Sequence, residues 1–63
     1  MNEQARFRRL VEHYGGRPPE GGQGKDAYAQ GKAGKPCTYP SGSALAAAWR
    51  AGYIKGCRQR AVL

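Results

Sequence analysis

Few side chains in this sequence have the chemistry of a reactive site, and those few are scattered. His13, Cys37 and Cys57 are the good soft metal ligands. None has the close paired spacing of a zinc site, so no metal is expected. A cysteine nucleophile needs a base within reach. Pairing Cys37 or Cys57 with His13 would require a glycine- and proline-rich stretch to fold back, and nothing in the pattern asks for that. A small thiol in a turn (Cys37) or on a helix (Cys57) reads more simply as a packing residue. The four carboxylates, Glu3, Glu12, Glu20 and Asp26, all precede Ala27. No paired-carboxylate site can therefore be assembled around the C-terminal half. Gly24-Lys25 has the ending of a phosphate-binding loop. Pro19, however, holds the place of the loop's first glycine, Asp26 stands where Ser or Thr is needed, and no strand precedes it. Neither catalysis nor a cofactor is expected.

Positive charge and aromatic rings are what remain. The formal net charge is +7. Up to Asp26, Arg6, Arg8, Arg9, Arg17 and Lys25 nearly balance the acids. Residues 27–63 carry Lys32, Lys35, Arg50, Lys55, Arg58 and Arg60 and no acid at all. Such asymmetry suits a polyanionic partner, with nucleic acid ranked ahead of an anionic membrane surface. Tyr28, Tyr39, Trp49 and Tyr53 are interleaved with these cations. Rings can stack on bases while Lys and Arg meet phosphates. The plainer alternative assigns Lys55, Arg58 and Arg60 to the negative end of a helix and the rings to the core. For Trp49 the core is the stronger reading, because so few other large apolar residues exist.

A chain of 63 residues holds one small domain at most. It buries only about 60% of its unfolded surface, so an enclosed active site is hard to build. Close helix packing or a partner must supplement the core. The stretch from Met1 to Leu10 carries charges where a signal peptide would be apolar, and no run approaches the length of a membrane span. These features point to a cytoplasmic protein with both cysteines as thiols.

Three helices must position the charged and aromatic groups, so the expected class is all-α. The first covers about residues 3–14, with Phe7, Leu10, Val11 and Tyr14 at i, i+3, i+4, i+7. Asn2 is its candidate cap, and Glu3 suits its positive end. Its apolar stripe either packs on the rest of the protein or offers itself to a protein partner or a second copy. Residues 15–24 hold five glycines and two prolines and read as a linker. A short helix follows over 25–34. Gly31 within it costs about 1 kcal/mol against Ala; either close approach to Gly52 and Gly56 offsets this, or the helix frays or breaks there. Pro40 and Gly42 mark a turn, with Ser41 or Ser43 capping a long alanine-rich helix over 43–60. The last residues, 61–63, are expected to fray. On the long helix Leu45, Trp49, Gly52 and Gly56 share one face, while Arg50, Ile54 and Arg58 lie opposite. The expected core is Tyr28, Tyr39, Leu45, Trp49, Gly52 and Gly56.

The segments Tyr28-Ala29-Gln30-Gly31-Lys32-Ala33-Gly34, Cys37-Thr38-Tyr39 and Trp49-Arg50-Ala51-Gly52-Tyr53 resemble, in order, the ribosome modulation factor family. That family has a tyrosine and two glycines on a short helix, a Cys-Pro-Tyr turn, and a helix with Trp-x-x-Gly-Trp. Thr38 replaces the proline and Tyr53 the second tryptophan, and the likeness covers about half of the chain. The family's basic N-terminal region has no close match here. The resemblance implies a small helical protein that binds small-subunit rRNA near the messenger exit, silences translation and promotes ribosome dimers. It implies phosphate contacts for Arg50, Lys55 and Arg58, and a shaping role for Cys37 and Tyr39 in the turn. Similar short proteins occur in phage and plasmid genes, one group being described as modifying quinolone drugs with ATP. Without a phosphate loop or metal carboxylates, that activity ranks last. A phage-type protein-interaction module acting through the first helix ranks second.

Overall fold

The computed structural model describes residues 3–61; the expected Asn2 cap and the Val62-Leu63 end lie outside them, as does the side chain of Glu3. Three helices follow one another: α1 (Glu3–Gly16), α2 (Gly22–Lys32) and α3 (Ala44–Ala61). The protein is all-α, as the periodicity predicts. α3 is the central element. Both α1 and α2 pack on it, and among the described residues α1 and α2 do not pack on each other.

The ends of the helices differ from expectation in instructive ways. α1 runs on through Gly15 and Gly16, and the Arg17 N–H still donates to the His13 carbonyl at 2.9 Å. α2 begins at Gly22, inside the stretch read as linker, which is thereby cut to residues 17–21. Propensity argues against this start, and no side chain caps it. Tertiary packing compensates. α2 lies along α3, and Pro19 covers Gly24 so closely that a Cβ there would be 3.0 Å from the Pro19 Cβ.

α2 ends at Lys32, two residues short of the expected end, for a local reason. Gly34 takes a left-handed φ of +79°. Its N–H donates to the Gly31 carbonyl at 3.0 Å, and the Lys35 N–H donates to the Gln30 carbonyl at 3.0 Å. This paired closure satisfies the last carbonyls of the helix and turns the chain away. At the start of α3 the structure chooses between the two candidate serines. Ser43 Oγ accepts the Ala46 N–H at 3.1 Å and donates to the Pro40 carbonyl at 2.7 Å, so Ser43 is the cap.

The core corrects the expected one. Its buried hydrophobic residues are Ala27, Ala46, Ala47, Ala48 and Ala51, joined by Gly31, Gly52 and Gly56. Tyr28, Tyr39, Leu45 and Trp49 are only half-buried. The cause is how closely α2 and α3 approach. A Cβ on Gly31 would strike the Trp49 carbonyl oxygen and lie 2.9 Å from the Tyr53 nitrogen. One on Gly52 would strike the Tyr28 carbonyl oxygen and lie 3.1 Å from the Lys32 nitrogen. A Cβ on Gly56 would meet the Lys32 carbonyl oxygen. Two backbones in such contact leave no room for rings between them, so the rings stay half-buried.

Candidate nucleic-acid interface

The six cations of residues 27–63, namely Lys32, Lys35, Arg50, Lys55, Arg58 and Arg60, are all exposed. The helices sort them into separate groups. Lys32, at the end of α2, and Arg60, near the end of α3, line one cleft of about 370 Å³ with Ala29, Ala33, Gly56 and Gln59. Arg60 also donates from its guanidinium to the Cys57 sulfur at 3.7 Å. Both cations stand at helix C-termini, where the backbone favours positive charge.

Lys35 is brought to the same helix pair by a link that sequence reasoning missed. The Trp49 Nε1–H donates to the Lys35 carbonyl at 3.0 Å, tying the α2–α3 connection to the middle of α3. Tyr53 stacks on Trp49, with ring centroids 5.2 Å apart and planes 10° from parallel. The Arg50 guanidinium lies 5.8 Å from the Tyr53 ring centre, within cation–π range. Trp49, Tyr53 and Arg50 thus form a short ladder on the side of α3. The i, i+4 spacing of Trp49 and Tyr53 was the available signal, because such pairs are neighbours on a helix.

Arg50 departs from the expected basic stripe. The side of α3 bearing Arg50 and Ile54 is bordered by α1, and both residues line a groove with Gln4, Phe7, Arg8 and Val11. Arg50 therefore has structural partners, the Tyr53 ring among them, and an open phosphate site is not needed to account for it. Lys55 and Arg58 remain exposed along α3.

Phe7, Leu10, Val11 and Tyr14 are all half-buried. α1 packs on α3 rather than standing apart, as the first of its two readings holds. The stripe is divided. Phe7 and Val11 face the groove, whereas Tyr14 tilts against His13, with ring centroids 5.5 Å apart. Tyr39 is half-buried, and the Cys37 thiol beside it donates to the Tyr39 carbonyl at 3.9 Å. Both cysteines are free, Cys37 exposed and Cys57 half-buried. Among the described residues there is no group of three or more His, Cys, Asp or Glu that could hold a metal ion. No helix among them is long and apolar enough to cross a membrane.

The chain matches no protein-family model, and no match to it was found among curated proteins or solved structures.

Proposed function

We propose that this chain is a non-enzymatic RNA-binding protein that binds rRNA of the small ribosomal subunit and modulates translation. One observation carries the reading: a helix pair with exposed lysines and arginines and no carboxylate from Ala27 onward. Unneutralised cations beside half-buried rings are what a structured RNA backbone calls for. The resemblance to the ribosome modulation factor family selects the ribosome among RNA partners. Its shared residues include Gly31 and Gly52, which make the α2–α3 contact, and Trp49, which ties the connecting turn down. Lys32, Lys35, Lys55, Arg58 and Arg60 carry the phosphate contacts in this reading. Arg50 contributes less, because Tyr53 and the α1 groove already hold it.

Co-sedimentation with ribosomes at low salt tests the proposal. The protein should pellet with intact ribosomes and stay in the supernatant after ribonuclease treatment. A protein that remains in the supernatant at low salt with intact ribosomes does not have this function.

A further inference from the structure

The groove between α1 and α3 enters that reading only through the minor contribution of Arg50, and it is a concavity beside a helix contact. Gln4, Phe7, Arg8 and Val11 form one wall, Arg50 and Ile54 the other, and Ser41 with Gly42 contributes from the turn before α3. The spacing 4-7-8-11 is one face of α1, and 50-54 is one row of α3. Its volume is about 610 Å³. The groove is open to solvent rather than enclosed. Phe7, Val11 and Ile54 are half-buried apolar residues, and Arg8 and Arg50 are exposed. Among the described residues, both charged lining residues are arginines and no carboxylate lines the groove.

We propose that this groove docks an acidic protein segment through one bulky apolar side chain flanked by carboxylates. Charge complementarity selects the partner. Two arginines offer planar forks suited to carboxylates, and the wall between them has apolar side chains for an anchor to bury. The Arg50 guanidinium is within cation–π range of the Tyr53 ring, which limits its freedom before binding. From Gln4 to Val11 the α1 wall is about 10 Å long at 1.5 Å per residue. That suits a short peptide anchor. RNA would satisfy the two arginines but brings nothing aliphatic to set against Val11 and Ile54. The site also differs from a free amphipathic helix: Leu10 and Tyr14 do not line it, whereas Arg50 and Ile54 of α3 do.

The test uses the full chain and fluorescence anisotropy. The probe is a fluorescein-labelled Asp-Glu-Leu-Phe-Glu-Asp peptide. Controls are Asp-Glu-Gly-Gly-Glu-Asp, which lacks the anchor, and Asn-Gln-Leu-Phe-Gln-Asn, which lacks the charge. The anchored acidic peptide should bind at least about tenfold more tightly than either control. Arg8→Glu, at an exposed position, should weaken it by about tenfold or more while leaving helical circular dichroism and ribosome co-sedimentation unchanged. Equal binding of the anchorless peptide would reduce the effect to general charge attraction and overturn the proposal. So would unchanged binding by Arg8→Glu. Binding of an oligouridylate that Arg8→Glu abolishes would give the groove to RNA instead. Because Arg8 is outside the proposed rRNA contacts, failure here leaves ribosome binding standing, and the converse also holds.

Discussion

The two contacts made by α3 are built on opposite plans. Against α2 it presents glycines, and backbone meets backbone at Gly31, Gly52 and Gly56. Against α1 it presents Arg50 and Ile54, which line a groove together with Phe7 and Val11. The first contact has no space to yield and so specifies one register. The second rests on side chains, tolerates change, and leaves a surface a partner can use. A chain this short secures its architecture with the first plan and keeps an open groove with the second.

Adding a methyl group on the rigid side should do the most damage. Gly31→Ala or Gly52→Ala forces the α2 and α3 backbones apart and should cost about 3 kcal/mol, the upper end of over-packing effects. A small domain has little more than that to lose. Thermal melts followed by circular dichroism should therefore lose their cooperative transition. Gly15→Ala on α1 is the matched control. A Cβ there meets nothing within 4 Å. It should leave stability unchanged or raise it by up to about 1 kcal/mol through helix propensity. If Gly52→Ala and Gly15→Ala melt alike, the contrast between the contacts is wrong.

Trp49→Phe tests the tie across the connection by removing the Nε1 bond to the Lys35 carbonyl. It should cost about 1.5 kcal/mol in chemical denaturation. On the tolerant side, Phe7→Ala should cost about 1 kcal/mol, because the ring is only half-buried. Its effect should be local, with faster proteolysis in residues 17–21 and unchanged Trp49 fluorescence. Replacing both Cys37 and Cys57 by Ser should change least, since both are free thiols. Helical circular dichroism should be retained within error, and a fold lost to reductant or chelator would contradict this.

Much of this contrast was legible in the residues. The shared face of Gly52 and Gly56 and the demand that something compensate Gly31 pointed to α2 packing on α3, whereas the i, i+3, i+4, i+7 stripe announced the α1 helix but left open whether it packed on the protein or met a partner. The core was misread because large residues were taken as the natural interior. Once glycines bring two backbones together, alanines fill the interior and Tyr28, Tyr39, Leu45 and Trp49 are left half-buried. The start of α2 was missed because Gly22 and Gly24 have poor helix propensity, which the packing on α3 outweighs. Arg50 looked like an unpaired cation because helical angles give the face of a residue but not what covers it. The α1–α3 groove joins residues more than forty positions apart in the chain, and no local pattern announces it.

Ribosome binding across a salt series tests the central claim most directly. Affinity should fall steeply with salt, each lost phosphate contact flattening the logarithmic slope by about one unit. Lys55→Ala/Arg58→Ala/Arg60→Ala should keep its helicity and flatten the slope by about two to three units. Arg6→Ala/Arg9→Ala, on the exposed side of α1, should leave the slope as in the unaltered protein. An unchanged slope for the α3 variant, or an equal flattening by the α1 variant, would contradict the assignment of RNA binding to the acid-free residues 27–63.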